Sequence, residues 1–309
     1  MTVAIDTVVG PAARTAVWAT GTERLTYLDA VLSQQLRNAP VGTATSALEL
    51  GPHGEPTGVL DLAILDERVL ILLPDALADD VFSRLAGRTF MSDAAFAQAE
   101  EMAVLRVRGT DAHAVAAAAA LPTAPGVAVE GPDHIRLGFG HGVDIVATPS
   151  ALATIEASLC AAGATSVDAV GVDNIEVITG VPRAPEEITR GRLPEEIGIL
   201  ATHVHLTKGC YPGQEAVARM WMLGRPRRRL AVLELGDEVA TPGTYGEGRS
   251  GVVVTRVAQT PAGPVGLGFV AADAVPGDEP VPGAIVRSIV GADTPVPGHD
   301  PAMTRRRDR

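Results

Sequence analysis

The sequence is poor in cysteine, in aromatic residues and in positive charge, and it has no long uninterrupted apolar run. Only Cys160 and Cys210 occur in 309 residues. That is too few to staple a chain of this length and fits a reducing compartment better than a disulfide framework. Aromatic residues make up 3%, so the core has to be assembled from Ala, Val, Leu and Ile. Lys and Arg number 25 against 37 Asp and Glu, a net charge of −12. Affinity for phosphate backbones comes from cations, so a general nucleic-acid partner is not expected, although a local basic patch stays open. Every apolar stretch is broken by Asp, Arg, Gly or Pro before the roughly 18 residues a membrane span needs. No basic start followed by an apolar h-region opens the chain, so no secretory signal is expected. The expectation is a cytoplasmic protein with no membrane partner.

What is present is the balance of a globular protein, 46% hydrophobic and 20% charged residues. The length calls for two or three packed units. Residues 1–20 carry little pattern. A helix is expected from Thr22, an N-cap residue type followed by Glu23, with Leu25, Leu28, Leu32 and Leu36 as one apolar stripe. Strand-like runs occupy 43–50 and 59–73, with Gly51, Gly54 and Pro56 marking the turn. Residues 75–99 read as helical. Beyond residue 100, Ala103, Leu105 and Val107 alternate with Arg106 and Arg108 as a strand. A short helix is expected at 112–120, a hairpin around Gly140-His141-Gly142, and helices at 150–162 and 167–178. The last third reads as β, with strands near 230–235, 250–257 and 265–270. A small barrel or sandwich is the natural architecture for it. The Pro-, Asp- and Arg-rich end from about 293 is expected to be a mobile tail. Helices mixed with antiparallel strands make the class α+β.

The segment His203–Arg219 carries the chemistry. Gly209 and Gly213 bracket a short loop, Pro212 favours a turn or helix start, and a helix can begin at Gln214 with Glu215 and Arg219 paired at i, i+4. Cys210 is then expected just before a helix N-terminus with Lys208 nearby, an arrangement that favours thiolate. A small residue buried in a tight turn is the bland alternative.

Lys208-Gly209-Cys210-Tyr211-Pro212-Gly213-Gln214-Glu215 resembles the K-G-C-Y-x-G-Q-E signature of the YgfZ family, related to the aminomethyltransferase (T-protein) of glycine cleavage. Weaker similarity covers residues 21–36 and Gly224-Arg225-Pro226 with the arginines that follow. The resemblance implies three domains in a ring around a tetrahydrofolate site. The first is 1–99 with part of 170–225, and the second is 100–169. The motif region 170–225 closes the ring, and a C-terminal β-barrel spans 226–292. It implies a folate-dependent accessory role in assembly or repair of iron–sulfur proteins, which would be the partners, in place of conventional turnover. The corresponding loop of the aminomethyltransferases lacks the cysteine and reads closer to K-G-x-F-x-G-R-E. By the resemblance, Cys210 and Lys208 form the reactive centre, and Glu176, Tyr211, Gln214, Glu215 and Arg219 are folate-binding. Glu176 would meet the pterin edge, whose N–H donors suit a bidentate carboxylate. Asn174 stands where many relatives carry Arg. The alternatives are a folate-dependent aminomethyltransferase, and a folate- or RNA-binding module with no use for the thiol. An exposed helix carboxylate is the bland alternative for Glu176.

Other constellations are weaker. His203 and His205 have the H-x-H spacing of a strand-borne metal pair, but no second cysteine or carboxylate lies nearby and a metal is not expected. Cys210 with His205 as a nucleophile–base pair lacks an oxyanion-hole motif. Arg225, Arg227, Arg228 and Arg229 form a basic cluster that could meet an anionic group or be a solvated strand entrance. Cys160 reads as helix packing. Asp61 lies near where the aminomethyltransferases hold a catalytic aspartate, with a turn or strand carboxylate as the plainer reading.

Overall fold

The computed structural model describes residues 5–223 and 226–292. The expected tail from 293 lies outside them, as does Arg225. The chain divides into two compact units. One holds residues up to Asp29, Leu36–Ala47 and Gly58–Ile175; the other holds Ala30–Gln35, Leu48–Thr57 and the chain from Glu176.

The first unit opens with β1 (Val8–Ala12) and β2 (Arg14–Thr20), in the segment where the sequence shows little pattern. Helix α1 (Arg24–Val31) is shorter than the leucine stripe suggests. The Asp29 carboxylate accepts the N–H groups of Leu36 and Arg37, and these close a turn instead of another helical repeat. Strands β3 (Thr43–Leu50), β4 (Pro56–Ile64) and β5 (Val69–Pro74) follow, with the end of β3 and the start of β4 belonging to the second unit. Helix α2 (Asp75–Ala86) ends well short of residue 99; turns follow, and Ala95–Gln98 forms β6, because its backbone pairs with β2. Then come β7 (Ala103–Arg108), α3 (Ala112–Ala118), β8 (Ala128–Glu130), β9 (His134–Phe139), β10 (Gly142–Ala147), α4 (Pro149–Ala161), β11 (Thr165–Ser166) and α5 (Ala169–Thr179), whose residues from Glu176 belong to the second unit. Two sheets result, in the orders β11-β1-β7-β10-β9-β8 and β3-β4-β5-β2-β6.

The period-2 pattern of β7 explains the layering. Leu105 and Val107 join Val143, Ile145, Leu152 and Leu159 in a core under α3 and α4. Val104, on the opposite face, joins Val146 and Leu137 against Ala63, Leu70 and Leu72 of the second sheet. The same inter-sheet layer becomes polar further along. Arg106 and Arg108 share Asp144, at 3.4 and 2.7 Å, and all three are buried. Arg14 lies 3.4 Å from Asp61, which also accepts the Ser46 hydroxyl at 2.6 Å. Burial alone would push the Asp144 carboxyl up; Arg108 and then Arg106, aided by His141 and Arg14, outweigh it and hold the group well below the usual carboxylate range.

The second unit contains α6 (Pro194–Ile197), α7 (Leu200–His203), α8 (Gln214–Leu223), β12 (Arg228–Leu235), β13 (Gly243–Tyr245), β14 (Val252–Thr260), β15 (Gly263–Ala271) and β16 (Ala284–Ile289). Its sheet runs β13-β14-β15-β12-β16 over an aliphatic core of Leu233, Val252, Val254, Val270 and Val286. A buried ion pair ties the segment after α5 to this sheet. Both Glu187 oxygens accept from Arg256 Nε, at 3.2 and 3.1 Å, and Arg256 Nη2 lies 2.9 Å from Oε2. Among the described residues no helix is long and apolar enough to cross a membrane.

Candidate functional site

The motif segment leads from α7 into α8, and its side chains alternate between anchors and exposed groups. Lys208 and Tyr211 are buried, whereas Gly209, Cys210 and Pro212 are exposed. Lys208 Nζ donates to the carbonyls of Leu32 at 2.8 Å and Gln34 at 2.9 Å. It also lies 5.1 Å from the centroid of the Tyr211 ring, within cation–π range. Ser33, between those two carbonyls, makes the receiving segment rigid. Its hydroxyl donates to the His203 carbonyl at 2.6 Å and accepts from Leu48 N, while its own carbonyl accepts from His205 N. A carbonyl pair fixed in this way is a ready socket for an ammonium group.

The C-terminal side of the loop is equally specified. Gln214 Nε2 donates back to the Lys208 carbonyl at 3.2 Å. Gly213 sits at φ +78°, and a Cβ there would lie 2.5 Å from the Gly51 carbonyl oxygen. Only glycine meets both demands. Gly213→Ala should cost about 1–2 kcal/mol, read as a lower urea midpoint than wild type; an unchanged midpoint would show that the turn relaxes freely.

Cys210 is an exposed free thiol. Helix α8 starts at Gln214 as the sequence suggests, with Tyr211, Pro212 and Gly213 between it and the cysteine. Burial pushes the Tyr211 phenol up to about 12, and its hydroxyl has no hydrogen-bond partner among the described residues. Glu215 and Arg219 are exposed and form no ion pair with each other among the described residues, in contrast to the expected i, i+4 contact. Solvated side chains gain little from such a pair. Both instead line an open cavity of about 580 Å³ with Pro52, His53, Leu193, Ala216 and Met220.

Glu176 is on α5 and is 2% exposed, so it is not the exposed helix carboxylate of the plainer reading. It is not among the residues lining that cavity. His203 is the last residue of α7 and His205 follows in a loop, so the two do not share a strand face. His203 Nδ1 bonds the Thr202 hydroxyl at 2.7 Å. Cys160 is half-buried against the α3–α4 core. Sequence reasoning missed the role of Leu32, Ser33 and Gln34, for which residue type gives no signal because backbone atoms do the work.

No family model matches the chain, and no curated protein matches it. Among solved structures it is similar to the glycine cleavage system aminomethyltransferase T from Bartonella henselae, with a TM-score of 0.73 and 18% identity over 94% of this chain and 88% of that one. A heterotetrameric sarcosine oxidase from Corynebacterium sp. U-96 matches over 50% of this chain and 83% of that one, at 14% identity and a TM-score of 0.36, too loose a likeness to carry an argument. The chain therefore shares its mixed α+β fold with aminomethyltransferase T.

Proposed function

We propose that this chain is a tetrahydrofolate-binding accessory protein that supports assembly or repair of iron–sulfur proteins. The observation that carries the reading is the exposed Cys210 thiol held between two buried anchors, Lys208 and Tyr211, in a loop that resembles the YgfZ signature. A thiol that served only packing would be buried. Lys208 acts here as an anchor of the loop, since its ammonium is engaged by the Leu32 and Gln34 carbonyls. Gln214 closes the loop behind it. The residues suit a folate. A buried carboxylate at Glu176 is the type of acceptor that the donors of a pterin edge require. Arg219 and Glu215 stand on a cavity of a size that holds small ligands, and Arg219 suits a carboxylate of the ligand. In this reading the five-stranded sheet of the second unit corresponds to the C-terminal barrel of the family.

The test is a tetrahydrofolate titration of wild type and Glu176→Ala. Loss of a charge-assisted hydrogen-bonding group should weaken binding by roughly 10- to 100-fold; equal affinity removes Glu176 from the site, and no binding by wild type defeats the folate reading. For the thiol, Cys210→Ala should fail to restore iron–sulfur enzyme activity in cells lacking the protein, and full restoration would leave folate binding without thiol chemistry. The shared fold with aminomethyltransferase T supports a second reading, a folate-dependent aminomethyltransferase. Folate-dependent ammonia release from an aminomethylated lipoyl protein would establish that one instead.

A further inference from the structure

A second cavity, of about 500 Å³, lies in the second unit and is lined by Pro226, Arg227, Arg228, Gly248 and Arg249. We infer that it binds the phosphoryl group of a small molecule. Three arginines line it in a chain whose net charge is −12, so the local charge opposes the global one. Arg228 is held in place by main-chain acceptors alone. Its Nη1 donates to the carbonyls of Gly251 and Phe269, and its Nη2 to that of Gly248 at 2.9 Å. Carbonyls orient the group without neutralising it. A guanidinium has five N–H donors. These three bonds leave Nε–H and one Nη2–H without an acceptor among the described residues.

The other two arginines are not consumed by structure either. Arg227 is exposed and has no side-chain partner among the described residues. Arg249 lies 3.8 Å from Asp273, with both side chains about three-quarters exposed, and a pair of that kind is worth little. Up to three positive charges thus face one rim carboxylate, an imbalance that a phosphate dianion corrects better than a single carboxylate. Guanidinium groups also match phosphate oxygens through paired N–H donors. Screening over about 10 Å confines a small anion to this patch, whereas a nucleic acid reaches beyond it over a chain of net charge −12.

The experiment is calorimetric titration of the full chain with pyrophosphate in phosphate-free buffer at low ionic strength. Wild type should bind, and Arg227→Gln/Arg249→Gln should bind roughly tenfold more weakly or worse at an unchanged unfolding midpoint, because both side chains are exposed. Arg228→Lys, which keeps the charge and loses the fork, should also weaken binding. No heat from wild type at millimolar pyrophosphate, or equal affinity in the double variant, overturns the proposal. So does citrate binding as tightly as pyrophosphate, or an RNA oligonucleotide binding more tightly and competing with it.

Discussion

Asp144→Ala should lower the unfolding free energy by about 3–5 kcal/mol at neutral pH, as expected when one partner of a buried ion pair is removed. The carboxylate lies fully buried between Arg108 at 2.7 Å and Arg106 at 3.4 Å. Arg108 is also the largest of the fully buried side chains. Its Nη1 donates to the carbonyls of Val107 and Val143, so it cannot swing out to water without losing these two bonds. Removing Asp144 therefore takes from two buried guanidinium groups the carboxylate they share. Total stabilities are about 5–15 kcal/mol, so a large share would be lost. Urea unfolding measures it, and a loss under about 1 kcal/mol would mean that water or a neighbouring carboxylate takes over.

The same group sets a pH dependence whose sign is fixed. Its folded carboxyl is held below the usual range by Arg108 and Arg106, whereas in the unfolded chain it titrates near about 3.9. Between those values the unfolded state binds more protons, so stability rises with pH. The contribution is fully present above the unfolded value and is lost as pH falls toward the folded one. The difference between wild type and Asp144→Ala should therefore shrink from pH 7 to pH 3, and a difference that grows in acid would contradict the assignment.

The fold was legible where local pattern and tertiary role agree. Leu105 and Val107 announce β7, and the Gly140–Gly142 turn announces the hairpin of β9 and β10, because alternation and turn chemistry are properties of neighbours in sequence. It was not legible where pairing overrides local preference. Val8–Ala12 contains Gly10 and Pro11, poor strand residues, yet it pairs with β7 on one side and with β11 on the other. Ala95–Gln98 is Ala-rich and becomes an edge strand because β2 offers its backbone. The site divides in the same way. The loop, its glycines and the start of α8 can be read from Gly209, Pro212 and Gly213. The burial of Glu176 and the destination of the Lys208 ammonium cannot, since the acceptors lie more than 170 positions earlier in the chain.

That destination gives the second large effect. Lys208→Met should destabilise the protein by about 2–4 kcal/mol, because methionine can fill the space of the stem but leaves the Leu32 and Gln34 carbonyls without the ammonium donor, at about 1–3 kcal/mol for the buried Leu32 acceptor and less for the part-buried one of Gln34. The Tyr211 ring loses its cation as well. Cys210→Ala, at an exposed position, should change the unfolding midpoint by little, within about 0.5 kcal/mol. The two variants therefore separate anchoring from chemistry within one loop. Anchoring predicts that Lys208→Met shifts the urea midpoint and speeds alkylation of Cys210 at every pH, as the loop detaches. A lysine that acts on the thiol electrostatically predicts the opposite signature: an unchanged midpoint, and an alkylation profile displaced to higher pH. Midpoint and profile measured on the same samples decide which role Lys208 has, and a shift in the profile alone would return it to the reactive centre that the motif resemblance implies.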